Sequence, residues 1–184
     1  MERKREEEAI ILDFLPNGYA SDTRPSHLKT TIAQAIGKNN IALLELVPRK
    51  DVHLQPYDEV YVGDQKRDKI HHVIGRIPLS KLTATATAEL EHVIRQIVQS
   101  REEEFIEFFN KSQPLSTRMH SLELLPGLGK KHMWEIIEER RGDPFTSYAN
   151  LKSRVKLISD PEKLIVKRIL KEIEGKEKHN IFVK

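Results

Sequence analysis

The chain has 184 residues, 38% of them hydrophobic, enough to bury one good core or two small ones, with a single domain as the default. It contains no cysteine, which excludes a disulfide framework, a thiolate metal site and a cysteine nucleophile. The formal net charge of +3 is unevenly spread: residues 112–184 hold 15 Lys and Arg against 10 Asp and Glu, whereas residues 1–111 hold 16 against 18, a modest hint of a polyanionic partner for the C-terminal part.

The first apolar run, Ala9 to Leu15, is too short to span a bilayer and follows the mixed charges of Glu2 to Glu8. Neither a signal peptide nor a membrane anchor is expected, and the location is read as cytoplasmic. The run is bounded by the turn Pro16-Asn17-Gly18 and predicts a strand. After a polar loop through Ser21–Pro25, the alternation Ile32, Gln34, Ile36 within Thr31 to Ile36 predicts a second strand, closed by Gly37-Lys38-Asn39-Asn40. Ile41 to Val47 returns as its hairpin partner, and Asp58–Gly63 and His72–Ile77 complete five short strands. Five strands with long, variable loops suggest a small closed or nearly closed barrel, with the oligonucleotide/oligosaccharide-binding (OB) type as the commonest nucleic-acid version. The short spacer from Pro48 to Tyr57 leaves no room for the helix often found between the third and fourth strands of such barrels. An SH3-like barrel or an open sheet are the alternatives. Candidate nucleic-acid contacts here are Tyr19, Arg24, Arg49, Lys50, Tyr57, Tyr61, Lys66, Arg67 and Arg76, because rings beside cations are what a single-strand channel needs. Taken singly, each suits ordinary surface or core better, and Tyr61, in mid-strand, is expected to be half buried.

From Thr83 the character changes to helix. The run Thr83 to Asn110 has no Gly or Pro, and Leu90, Val93, Ile94, Ile97 and Val98 make an amphipathic stripe extended by Phe105, Ile106, Phe108 and Phe109. One long connecting helix is predicted, with the acidic block Glu102-Glu103-Glu104 on its solvated face.

The stretch Leu125-Pro126-Gly127-Leu128-Gly129-Lys130-Lys131 lies between two apolar-periodic segments: Leu122 and Leu125 before it, Met133, Ile136, Ile137 and Arg140 after it. Pro126 ends the incoming helix. Gly127 and Gly129 permit conformations and a closeness of approach that a Cβ would hinder. A helix starting near Gly129 leaves its first amides pointing at solvent, at the positive end of its dipole. Two lysines in that turn oppose the dipole, unless an anion completes the site. The residues match the helix-hairpin-helix pattern, a device that reads phosphate backbone and carries little base information. Met133 stands where that pattern usually has a small residue, which would hold the two helices slightly further apart. A plain Pro-Gly turn with surface lysines is the alternative.

After Arg141-Gly142-Asp143-Pro144 a second helical pair is predicted, marked by Tyr148, Leu151, Val155, Ile158 and then Leu164, Ile165, Ile169, Ile173. Its connector, Ser159–Lys163, lacks both glycines. Asp160 can cap its own helix, Pro161 suits the first helical position and Glu162 complements the dipole, so an anion site there is filled from within. The expectation is a tandem in a four-helix, pseudo-twofold unit, the first hairpin gripping phosphate and the second structural. Lys163, Lys167 and Lys171 add a basic stripe or a plain solvated face.

Leu44–Pro48, Tyr57–Gly63, Gly75–Ile77 and Leu124–Lys131 together resemble the archaeal family catalogued as domain of unknown function 655, over nearly the whole chain. The resemblance implies an OB-type barrel joined to a helix-hairpin-helix domain, and a nucleic-acid-binding role concerned with RNA or ribosomes. It implies no catalytic residues.

The expected architecture is α+β: an OB-like five-stranded barrel over 1–82, a connecting helix over 83–112, an all-α tandem helix-hairpin-helix domain over 113–175 and a tail over 176–184. The expected function is non-catalytic, sequence-independent binding of nucleic acid, RNA favoured over DNA, through Pro126, Gly127, Leu128, Gly129, Lys130 and Lys131, supported by Arg24, Arg49, Lys50, Tyr57, Lys66, Arg67, Lys163 and Lys167. A monomer with no cofactor, no metal and no membrane partner is expected, with ribosomal or other protein partners possible. A base-excision glycosylase or lyase is the enzyme alternative, since such enzymes place a nucleophilic lysine where Lys131 stands. Their aspartate roughly eighteen residues on would fall at Ala149, with Asp143 the nearest acid across a Gly-Asp-Pro turn, and a base-pocket domain is missing. The histidines, including His71-His72, His120 and His132, form no recognised metal spacing. A protein-binding adaptor is the third class.

Overall fold

The computed structural model describes residues 5–184; Met1 to Lys4, and with them the start of the charged cluster Glu2–Glu8, lie outside the described residues. The described chain forms two compact units, residues 5–93 with 171–184, and residues 94–170.

The first unit is built on five strands: β1 (Glu8–Leu15), β2 (Ile32–Gly37), β3 (Leu43–Pro48), β4 (Glu59–Tyr61) and β5 (Ile70–Arg76). They pair antiparallel in the order β4-β1-β2-β3-β5. Residues 49–58 contain turns and no helix, as the short spacer requires. The sheet is open: β4 and β5 run in the same direction along opposite edges, and no pairing joins them among the described residues. In place of the expected closed or nearly closed barrel the sheet is a curled half-barrel, which is nearer to the open-sheet alternative. Register shifts at Ile11/Asp13 and at Glu45/Leu46 and Val47/Pro48 supply the bending, since each inserted residue raises the local twist.

Alternation along the strands sends Ala9, Ile11, Ala33, Ala35, Leu44 and Leu46 to one buried face, closed over by Leu54, Val60, Val62 and Ile70. The opposite face is also buried and carries Ile10, Leu12, Ile36 and the polar Gln34. The Gln34 amide donates to the Lys81 carbonyl at 2.9 Å and accepts from the Thr83 N–H at 2.9 Å. Thr83 in turn donates to Asp13 at 2.6 Å and accepts from the Ala86 N–H at 3.1 Å, capping α1 (Ala84–Ser100).

The β2–β3 turn is organised by a buried carboxylate. Glu6 accepts the N–H groups of Asn39, Asn40 and Ala42 at 2.9, 2.8 and 3.3 Å. A Cβ at Gly37 would lie 2.0 Å from that carboxylate, so a side chain there would push it off those amides. A second buried carboxylate, Glu172, holds the C-terminal segment through the N–H groups of Ile181, Phe182 and Val183 at 2.9, 3.0 and 2.8 Å. There the Lys184 N–H donates to the Asn40 carbonyl at 3.0 Å, and Arg76 donates to the Lys184 carbonyl at 2.7 Å.

The second unit contains α2 (Glu102–Lys111), α3 (Lys130–Gly142) and α4 (Tyr148–Arg154), with parts of α1 and of α5 (Pro161–Ile173). The single helix expected over Thr83–Asn110 is broken at Arg101 (φ −111°, ψ 33°). Ser100 donates its hydroxyl back to the Ile97 carbonyl at 3.0 Å, a local bond that competes with helix continuation. Glu102, Glu103 and Glu104 then favour a fresh helix start against the dipole of α2. Glu102 also accepts the Tyr148 N–H at 2.6 Å, at the start of α4, and Glu104 pairs with Arg101 at 2.6 Å.

The expected apolar stripes are buried: Phe105, Ile106 and Phe109 on α2, Met133 and Ile136 on α3, Leu151 on α4, and Ile165 and Ile169 on α5. Arg140 continues the α3 stripe as a clamp, donating to the Phe109 carbonyl at 2.8 Å and to the Ser112 hydroxyl and carbonyl, each at 2.9 Å. No helix among the described residues is long and apolar enough to cross a membrane.

Candidate nucleic-acid interface

The hairpin between Leu122 and α3 is fixed by three leucines spaced three apart. Leu122, Leu125 and Leu128 are all buried, and the Leu128 N–H donates to the Leu125 carbonyl at 3.0 Å. The incoming limb is shorter than expected, a single 3-10 turn over Ser121–Leu124 rather than an α-helix. The physical reason is capping close to its end. His120 Nδ1 accepts the Leu122 N–H at 3.1 Å, Glu123 accepts the His120 N–H at 2.8 Å, and Pro126 forces Leu125 extended (φ −71°, ψ 122°).

Gly127 has φ +87°, where a side chain is strained. Gly129 is different. It caps α3 at φ −89°, ψ −178°, backbone any residue adopts, and the nearest atom to an added Cβ would be His132 Nδ1 at 3.8 Å. Among the described residues nothing in the packing requires glycine there.

α3 begins with amides of Lys130, Lys131 and His132 that have no acceptor among the described residues, the first helical bond being Met133 N–H to the Gly129 carbonyl at 3.0 Å. Lys130 and Lys131 are exposed, and neither forms an ion pair among the described residues. One amide is already taken, since Gly129 donates to His132 Nδ1 at 3.2 Å. The arrangement offers an anion the three backbone donors of Lys130, Lys131 and His132 and two cations, while the Gly129 N–H is held by His132.

The second connector behaves as its composition predicts. Asp160 accepts the Lys163 N–H at 2.9 Å and pairs with Arg95 at 3.1 Å. Partial burial opposes ionisation, but those two partners outweigh it and hold the Asp160 carboxyl below the usual carboxylate range. Its own side chain occupies the anion position. Lys163 and Lys167 are exposed on α5 and form no ion pair among the described residues.

In the sheet unit the candidates divide. Arg24 is turned onto Asp22 at 2.8 Å, which pushes that carboxyl down to about 2. Tyr19 is no free stacking ring: burial and the Glu45 carboxylate push its phenol up to about 12, and Lys81 lies 5.2 Å over its face. Tyr57 keeps an exposed ring, with its hydroxyl on Glu89. Tyr61 is half buried, as expected, and its hydroxyl accepts the Gln65 N–H at 3.2 Å. Arg67 and Arg76 do come together, lining with Arg5, His72 and Asp64 a cleft of about 580 Å³ on the open side of the sheet. Arg49 is linked to this region by donating to the Arg67 carbonyl at 2.7 Å, and Lys50 and Lys66 are exposed.

Three residues beside the hairpin were not legible as candidates. Arg118, Met119 and Trp134 line a groove of about 480 Å³ that also reaches Lys130. The available signal was Trp134, the only tryptophan, standing outside the Met133, Ile136, Ile137 stripe.

His120 gives the region a pH dependence. Burial, aided by the Arg140 guanidinium, pushes its imidazole below the ordinary value. The unfolded chain therefore takes the proton first: this cap's stability is full above the usual imidazole value of about 6.5 and is lost as pH falls from there through the lower folded value. Thermal unfolding midpoints should fall between about pH 7.5 and about pH 5. In His120→Asn, which keeps a cap acceptor without titrating there, the fall should be smaller; an equal fall would remove His120 from the account.

A family model described as a protein of unknown function, DUF655, matches residues 5–184. The chain is 40% identical over 184 residues to uncharacterized protein MJ0038 of Methanocaldococcus jannaschii, covering 99% of this chain and 82% of that protein. It is also similar to the crystal structure of Af1531 from Archaeoglobus fulgidus, assigned to the same family, with a TM-score of 0.91 and 43% identity over 97% of this chain and 100% of that one.

Proposed function

The chain belongs to the DUF655 family, and from its own geometry we propose that it is a non-catalytic nucleic-acid-binding protein. Its hairpin from Leu125 to Lys131 would act as a helix-hairpin-helix phosphate grip. The observation that carries this reading is Gly129: a glycine with ordinary φ and open space where its Cβ would stand, beside amides without acceptors and two lysines without ion pairs among the described residues. A backbone bare for no internal reason suits the close approach of a phosphate.

The sheet unit takes a supporting part, as an open, OB-like curled sheet whose cleft with Arg67 and Arg76 adds positive charge. RNA is favoured over DNA, because single strands and irregular RNA suit a curved basic surface. A lyase reading has less support. Among the described residues Lys131 forms no ion pair with an acid, with Ala149 in the position that needs one and Asp143 at the opposite end of α3 from Lys131.

The test is fluorescence-anisotropy binding to single-stranded RNA, duplex RNA and duplex DNA across a salt series. Affinity should fall steeply with salt, and Lys130→Ala with Lys131→Ala should reduce the log–log slope by roughly 1.5, the counterion release of about two phosphate contacts. No binding to any of the three would overturn the reading and favour the adaptor.

A further inference from the structure

Trp134 is 55% exposed, a large apolar surface to leave in water on an otherwise amphipathic helix. It does not stand alone. The groove beside it runs between α3 and the loop from Pro114 to His120, with Met119 43% exposed on the facing side and Met133 and Ile137 in its lining. That loop is held in shape. Pro114 and His120 form an isolated antiparallel bridge, and the N–H groups of Leu115 and Ser116 both donate to the Met119 carbonyl, at 2.8 and 3.1 Å. The loop therefore presents Met119 and Arg118 from a closed turn.

The groove combines an indole face and two thioethers with Arg118 and Lys130, neither of which has an ion pair among the described residues, and with Glu123, whose carboxylate accepts the His120 N–H at 2.8 Å. A purely apolar occupant would leave both cations uncompensated. A flat, polarisable ring tethered to phosphates complements both parts, the ring meeting the indole and the phosphates meeting the cations. Lys130 and Trp134 are four apart on one helix and so share a face, which makes the groove continuous with the hairpin.

We propose that this groove receives an unstacked nucleobase, with Trp134 stacked on its face and Arg118 and Lys130 against the neighbouring phosphates. The proposal rests on the nucleic-acid reading above and narrows it: the ligand is a single strand, or an unpaired nucleotide, rather than uninterrupted duplex. A base inside a duplex is stacked on both sides and has no face to offer.

Because Trp134 is the only tryptophan, its emission reports the groove directly. The probes are an oligouridylate, an oligomer of the same length made of abasic sugar phosphates, and a blunt duplex. Oligouridylate should quench the Trp134 emission and bind about tenfold more tightly than the abasic oligomer. Trp134→Ala should abolish that difference, and Trp134→Phe should retain most of it. Equal binding of oligouridylate and abasic oligomer, or wild-type affinity in Trp134→Ala, overturns the stacking proposal. In that event, reduced binding of the abasic oligomer by Gly129→Val would leave the phosphate grip standing. If no oligomer binds even at low salt, both readings fall together.

Discussion

Gly129→Val is expected to weaken nucleic-acid binding by about tenfold or more while leaving the fold in place. The estimate follows from losing at least one charge-assisted hydrogen bond, worth roughly 1.5–3 kcal/mol. The backbone at φ −89° accepts valine, and its Cβ would meet only His132 Nδ1 at 3.8 Å, so the branched side chain projects into the space a phosphate needs. The cost to folding is the poorer cap, about 1 kcal/mol. Gly127 makes a worse test, since its φ of +87° strains any replacement. Gly142, at the far end of the same helix and equally open, is the control: Gly142→Val should bind like the unchanged protein. Anisotropy titrations at fixed salt, with thermal unfolding beside them, measure both effects. Unchanged affinity in Gly129→Val would remove the central support for the phosphate grip.

The largest effect on stability is expected at Glu172. A carboxylate in the last turn of α5 opposes the helix dipole, and at 2% exposure it is also buried. Both costs are offset because it accepts three consecutive backbone N–H groups, those of Ile181, Phe182 and Val183. Glu172→Ala would orphan those amides or release the segment, at a cost of about 3 kcal/mol. The unfolding midpoint should drop by roughly 10 °C. Tryptic cleavage after Lys176 or Lys178 should accelerate in parallel. Glu172→Gln, which keeps one acceptor oxygen, should fall between. Wild-type stability and protease resistance in Glu172→Ala would show that the segment is held by Phe182 and its other contacts alone.

The strands were legible because their signal is local. Alternation at Ile32, Gln34 and Ile36 and the turn residues at 16–18 and 37–40 place β1 to β3 within a residue or two. How the edges meet was not legible. Whether β4 and β5 close or leave a seam depends on the register shifts in β1 and β3, and nothing in the composition of those strands announces a shift. The break at Arg101 was hidden for a similar reason: it carries no Gly or Pro and is made by a serine bonding back to its own helix. Asp160 was legible as a cap because its partner is three residues away. Glu6 and Glu172 were not, because charged residues look like surface until the distant amides they hold are known. Likewise, the glycines of the hairpin stood out, whereas the Trp134 groove needed the loop 114–120 folded back to exist.

The return of residues 171–184 to the sheet unit has a consequence for how the protein is made. A ribosome delivers the strands first, yet their unit lacks Glu172 and Phe182 until residues 171–184 leave the exit tunnel. The helical unit is a single continuous stretch, complete once residue 170 has emerged. The order of maturation is therefore the reverse of the order of synthesis, with the nascent sheet left provisional while the helices beyond it close.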